Sequence, residues 1–157
     1  MRLSLSIEDT TDDLFESIRI RNPCPRAIRA LVYIARRSAA KFITTAEIAK
    51  AENLPCLYLA KILQTLARKR LLESCKGPDG GFTLRLDPHR VCLLDIVCAL
   101  EEVPSFQGCA MGRERCSTTQ SCAMHEGWAE LRSHIILYLK GISIASLAEK
   151  TDLRNAI

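Results

Sequence analysis

The chain has 157 residues, 48% apolar and 25% charged, the balance of an ordinary soluble domain long enough to bury a core without covalent staples. Its eight cysteines amount to about 5% of the chain, short of the ~8–10% of a disulfide scaffold. No early positive stretch leads into an apolar one, and the longest apolar runs, such as Ala30 to Ala35, fall far short of the ~20 residues of a membrane span. The expectation is a cytoplasmic chain that spends its cysteines on metal or redox chemistry.

The net charge of +4 is too small to name a partner, but its distribution is uneven. Glu8, Asp9, Asp12, Asp13 and Glu16 make residues 1–17 an acidic N-terminal extension with weak periodicity. A first helix is expected from Pro25, because proline suits a first turn, with Ile28, Leu31, Val32 and Ala35 as its buried stripe. Residues 38–42 form a break. Thr44 then stands three residues before Glu47, as in a capping box, and Ile43 and Ile48 are placed for a hydrophobic staple. That helix is short and ends near Glu52 and Asn53.

Pro55 opens a third helix whose core stripe is Leu59, Ile62, Leu63 and Leu66. Its outer face carries Leu57, Ala60, Lys61, Gln64 and Arg68. Two short helices joined by a tight turn, the second with a basic outer face, form the pattern of a helix-turn-helix. After Arg70 the period changes to that of strands: residues 71–75, a turn from Gly77 to Gly81, then an alternating run from Phe82 to Leu86. A hairpin in that position is a wing, and its Lys76 and Arg85 would lie beside a duplex. Residues 55–90 carry seven basic against three acidic side chains. Such a segment suits a polyanion, although a charge run is more often a solvated face.

Leu93, Ile96, Val97 and Leu100 mark a fourth helix that Pro104 stops. Residues 104–122 have little periodicity and three cysteines. The last long helix is expected from about Ala123 to Lys140, with Gly141 as its stop. Its apolar positions Met124, Trp128, Leu131, Ile135 and Tyr138 are spaced 4, 3, 4, 3, a heptad-like seam. The seam would pack either on the fourth helix or on a second copy of the chain. The second is favoured, because few other helices remain to cover it. Ser143 can cap one further short helix.

The fold expected is mainly α with a small β-hairpin wing: a winged helix-turn-helix domain plus a long dimerisation helix. The expected division is 1–17, the acidic extension; 18–90, the DNA-binding domain; 91–122, a linking helix and cysteine loop; and 123–157, a dimerisation helix and C-terminal tail.

Cys109, Cys116 and Cys122 are separated by six and five residues, and His125 follows Cys122 after two. Three thiolates and an imidazole satisfy a soft metal centre. Structural zinc favours ligand pairs two to four residues apart, whereas widely spaced single ligands suit the separated irons of an iron–sulfur cluster. Cluster, zinc and redox thiols all remain open on spacing, with the cluster foremost. Cys92 and Cys98 read as small buried hydrophobes in an apolar helix and Cys75 as structural. Cys56, at the start of the reading helix, could be reactive. Cys24 is the one outlying cysteine to consider as an additional ligand. His89 reads as exposed and His134 as part of a helix contact. No carboxylate pair or nucleophile–histidine motif suggests an enzyme.

With the wing and the cysteine loop both placed, the chain resembles the winged-helix iron–sulfur transcription regulators of the Rrf-two type, the family that includes IscR, NsrR, RirA and CymR. The resemblance covers about residues 18–150 and rests on Arg26 to Ala35, Leu57 to Leu66, Lys76 to Leu84, Leu93 to Glu101, the cysteine loop and the Trp128 helix. It implies a homodimer whose long helices, with Met124, Trp128, Leu131, Ile135 and Tyr138, cross at the interface. It implies a double-stranded DNA operator met by Leu57, Tyr58, Ala60, Lys61, Gln64 and Arg68 in the major groove and by Lys76 and Gly77 of the wing. It also implies a cluster on Cys109, Cys116 and Cys122 with His125 as fourth ligand, and so [2Fe–2S] rather than [4Fe–4S]. Cluster state would then control operator binding in response to oxygen, nitric oxide, redox or iron status.

Three departures stand out. The first cysteine gap is six residues where five is usual in the IscR branch. Ala60 and Lys61 replace that branch's Glu-Gln pair. The extension 1–17 has no family counterpart. Two other readings stand beside the leading one: a cluster-free winged-helix regulator using zinc or thiol switching, and a protein-interaction module.

Overall fold

Pro25 lies in the first turn of α1 (Cys24–Arg37), where a missing backbone N–H costs no helical hydrogen bond. The structure, a computed structural model, describes residues 23–37, 42–77, 80–101, 109, 111 and 123–150. The acidic extension, Pro104, Cys116 and Cys122 lie outside the described residues. Helix α1 buries Cys24, Ala27, Ile28, Ala30, Leu31, Val32 and Ile34, more of its circumference than one stripe. Ala35, expected in that stripe, is only half-buried and Ile34 takes the inner position. The reason is topological: α1 is the central helix, touched by the next three helices, by the second strand and by the last helix of the chain.

In α2 (Thr45–Glu52) the Glu47 N–H donates to Thr44 Oγ1 at 3.2 Å, the expected N-cap. Only half of the capping box forms, because the Glu47 carboxylate turns to α1 instead. It accepts from the Tyr33 hydroxyl at 3.1 Å and from Arg37 Nη1 at 3.0 Å. Ile43 and Ile48 are both buried, as a staple requires. Asn53 ends α2 in the left-handed region at φ 52°, a conformation asparagine tolerates. A second tie joins the two helices, for Arg29 Nε donates to Glu52 Oε2 at 3.1 Å and its Nη2 donates to the Glu52 carbonyl.

Helix α3 (Cys56–Arg68) buries Leu59, Ile62, Leu63 and Leu66, the stripe its spacing predicts. It closes in a Schellman motif. The Arg70 N–H donates to the Ala67 carbonyl and the Leu71 N–H to the Leu66 carbonyl, both at 3.0 Å, with Leu66 and Leu71 buried together. The position that favours glycine is held by Arg70, at φ 64°.

Strands β1 (Leu72–Cys75) and β2 (Gly81–Leu84) pair antiparallel, Leu72 opposite Leu84 and Cys75 opposite Gly81. The alternation expected through Leu86 stops earlier, with Leu86 exposed beyond the ladder. Ile43 supplies a partner the periodicity does not reveal. Its N–H and carbonyl exchange hydrogen bonds with Phe82 at 3.0 and 2.9 Å, so the wing is sewn to the entrance of α2. Gly81 permits that approach: a Cβ there would sit 2.3 Å from the Ile43 carbonyl oxygen.

A 3-10 turn (Pro88–Arg90) leads to α4 (Leu93–Leu100). The long helix α5 (His125–Gly141) starts two residues later than expected and buries only Leu139. Helix α6 (Ile144–Glu149) is the short helix expected after Ser143, whose Oγ accepts from the Ser146 N–H. Ile144 and Ala145 are buried, α6 packs on α1, and Arg36 of α1 donates to the carbonyls of Ala148, at 2.8 Å, and Lys150. The strands' work is repeated where α4 meets the end of α5. The Leu93 N–H donates to the Ile142 carbonyl at 3.0 Å, and the Ile144 N–H donates to the Val91 carbonyl at 2.9 Å.

Candidate nucleic-acid interface and cysteine loop

Because α3 buries one stripe, its opposite stripe faces outward by necessity. Leu57, Lys61, Gln64 and Arg68 are exposed along it, and Ala60 is half-buried beside them. Leu57 is 85% exposed. Tyr58, at 37%, is drawn toward α1, where the Arg26 guanidinium lies 5.0 Å from its ring centroid. Arg26 is a side chain that sequence reasoning missed. It stands 32 residues before Tyr58, and no local periodicity reports such a contact. At the C-terminal end, Arg68 Nη2 donates to Thr65 Oγ1, which donates to the Lys61 carbonyl, each at 3.0 Å. This chain of bonds orients Arg68 along the outer face.

The wing adds Lys76 and Gly77, both exposed, with Gly77 at φ 111° where a side chain would be strained. Arg85 is exposed on the chain leaving β2. The outer face of α3 and the wing thus present lysine, arginine and glutamine donors and no carboxylate on α3 itself. This is the composition that phosphate and base-edge contacts use.

The cysteines divide differently from expectation. Cys24 is completely buried, its thiol donating to Glu101 Oε1 at 3.8 Å, and burial first, then the Glu101 charge, pushes it up to about 12. Cys98, expected to be buried, is exposed on α4; partial burial, then Asp95 and Glu101, raises its pKa. Helix α4 turns Leu93, Ile96 and Val97 to the core, which leaves Cys98 outside the buried stripe. Cys92 is half-buried at the start of α4, donating to Asp95 Oδ2 at 3.1 Å, and burial followed by that bond raises its pKa. Cys56 and Cys75 are exposed. Of the loop ligands, Cys109 and His125 are half-buried, His125 as the first residue of α5. Among the described residues no group of three or more histidine, cysteine or acidic side chains is disposed to hold a metal ion. His89 is exposed, as expected, and so is His134.

Of the seam positions, Met124 just before α5 and Leu131 and Tyr138 on it are exposed, Tyr138 by 68%. Trp128 and Ile135 are half-buried, Ile135 against the core. Leu137, which the heptad reading passed over, is 64% exposed on the flank of that seam. No helix among the described residues is long and apolar enough to cross a membrane.

These features match known proteins. Residues 21–150 match the Rrf2 family, described as "Iron-dependent Transcriptional regulator". A protein of Aquifex aeolicus (strain VF5), provisionally named an HTH-type transcriptional regulator, is 32% identical over 77% of this chain and 85% of its own. The HTH-type transcriptional regulator IscR of Xenorhabdus nematophila is 26% identical over 81% of this chain and 77% of its own. Among solved structures, CymR, the global cysteine regulator of B. subtilis, superposes with a TM-score of 0.69 at 22% identity, over 84% of this chain and 98% of that one. T. potens IscR does so with a TM-score of 0.63 at 17% identity, over 87% and 96%. The family match spans the helix-turn-helix, the wing and α5 alike, and this chain is a member of the Rrf2 family of DNA-binding transcriptional regulators.

Proposed function

We propose that this regulator acts as a cytoplasmic homodimer whose operator affinity is set by an iron–sulfur cluster. The observation that carries the reading is the run of Cys109, Cys116 and Cys122 in the sequence directly before the long helix α5, in a family described as iron-dependent. Cys109, Cys116, Cys122 and His125 would hold the cluster, with Cys24 a less favourable alternative because it is completely buried against Glu101. Three thiolates and an imidazole fit a soft iron centre, and the histidine favours [2Fe–2S] over [4Fe–4S]. When bound, the cluster supplies an electron-accepting, oxygen-sensitive group at the base of α5.

The chain's own residues do the rest. Met124, Trp128, Leu131, Ile135 and Tyr138 form the dimer seam, since Met124, Leu131 and Tyr138 are left exposed in the monomer and Trp128 and Ile135 only half-covered. Lys61, Gln64 and Arg68 meet bases and phosphates from α3, beside Leu57, Tyr58 and Ala60, while Lys76 and Gly77 follow the backbone from the wing. The hydrogen bonds between residues 91–93 and 142–144 tie the end of α5 to the start of the linking helix α4, which itself packs on α1 and α3. A displacement along α5 would reach α4 through these bonds, so the population of the DNA-competent arrangement would differ according to whether Cys109, Cys116, Cys122 and His125 hold the cluster.

Anaerobic purification with absorption and iron analysis tests the cluster. The wild type is expected to be coloured and iron-loaded, and the triple variant Cys109→Ala, Cys116→Ala, Cys122→Ala colourless with altered operator affinity. A colourless, iron-free wild type whose DNA affinity is indifferent to those substitutions sinks the cluster role and leaves a cluster-free regulator. DNA binding without a steep salt dependence would instead favour an interaction module.

A further inference from the structure

Leu57 is the most exposed large apolar side chain among the described residues, and it stands on the first turn of the helix that faces DNA. The fold does not call for it: the core stripe of α3 runs through Leu59, Ile62, Leu63 and Leu66, and the neighbouring Tyr58 is held back by Arg26. Ala60, one turn on, is short and half-buried, so it leaves room beside Leu57 for a flat edge to approach. Lys61 and Gln64 continue the same stripe, and Leu57 to Gln64 spans about 10 Å of helix axis, roughly three base-pair steps. In a helix-turn-helix the N-terminal residues of the second helix are those that reach base edges. The major-groove edge presents one apolar group, the C5 methyl of thymine. Cytosine's amino group would call for an acidic acceptor, and α3 contains none.

We propose that Leu57, with Ala60 beside it, reads the methyl group of a thymine in each operator half-site. Sequence preference at that position then comes from apolar contact, while Lys61 and Gln64 supply the polar contacts to the neighbouring steps. The inference rests on the DNA-binding reading and adds to it a specificity-determining residue and the base it selects.

The test uses the full chain, both anaerobically purified and iron-depleted, to select duplexes from a randomised pool. The best duplex is then remade with deoxyuridine replacing one thymidine at a time, which removes a methyl group and nothing else. One thymine per half-site is expected to lower affinity roughly fourfold on replacement, the worth of one buried methyl. Leu57→Ala, a change at an exposed position, is expected to bind thymine and uracil duplexes alike. Lys61→Ala is expected to bind all duplexes more weakly while keeping the thymine-to-uracil ratio. Wild-type binding indifferent to uracil at every position overturns the proposal, and so does a ratio that survives in Leu57→Ala. Enrichment of no duplex in either iron state overturns the DNA-binding reading itself, and this one with it.

Discussion

The Cys24 thiol lies 3.8 Å from Glu101 Oε1, joining the first turn of α1 to the residue that caps the C-terminal end of α4. The pair places an acidic group against the one cysteine that is wholly buried among the described residues. Both burial and that charge disfavour the thiolate, so the side chain behaves as a small core hydrophobe with a weak donor.

Cys24 is accordingly expected to resist iodoacetamide in the native protein at neutral pH, whereas the exposed Cys56 and Cys75 react. Its folded-state pKa is raised from 9.0 to about 12, so the stability it contributes is present below pH 9 and is lost as pH rises toward 12. Urea titrations at rising alkaline pH should show wild type losing stability faster than Cys24→Ala. Equal slopes, or early alkylation of Cys24 by mass spectrometry, would contradict this placement.

Gly81 is the point at which the wing touches Ile43, with no space for a Cβ. Gly81→Ala is expected to cost about 2 kcal/mol or more, because the φ of 147° and the backbone contact both oppose a side chain. Its DNA affinity should fall although Lys61 and Lys76 are intact. Thermal melting and a binding titration check the two effects, and an unperturbed melting curve would refute the contact.

Arg70 occupies a left-handed position that glycine fills without strain. Comparing Arg70→Gly with Arg70→Ala removes the charge from both and isolates the backbone. The glycine variant is expected to be more stable by about 1 kcal/mol in chemical denaturation. Equal midpoints would argue against the Schellman closure of α3.

Leu131 and Tyr138 stand exposed on α5, one heptad apart. Leu131→Asp is expected to give a folded monomer by sedimentation equilibrium, with operator affinity reduced about tenfold or more because two half-sites are no longer engaged together. A dimer of unchanged strength would remove the seam from the interface.

Much of this fold is legible locally. The Thr44 cap, the Leu59 to Leu66 stripe, the glycine-bounded wing and the Ser143 cap are each written in a few adjacent residues, because capping and periodicity depend on neighbours within one turn or one pleat. Long-range partnerships are not legible. Nothing near Glu47 indicates that its carboxylate leaves the capping box for Tyr33 and Arg37, and nothing near Ile43 announces Phe82. Cys98 reads as buried because its helix is apolar, yet which side of α4 meets the core is set by the helices packed against it.

The cysteine count that first points to metal chemistry is thus divided by environment. Sequence alone determined the helix-turn-helix, the wing, the cysteine spacing and the heptad seam, since each is a pattern of side-chain type at fixed short intervals. Tertiary structure alone decided that α1 is the central helix, that α6 returns to close the core, that Cys24 is sealed against Glu101, and that Leu57 is left in water on the outer face of α3. Burial depends on what arrives from distant parts of the chain, and no local pattern records which neighbour that is.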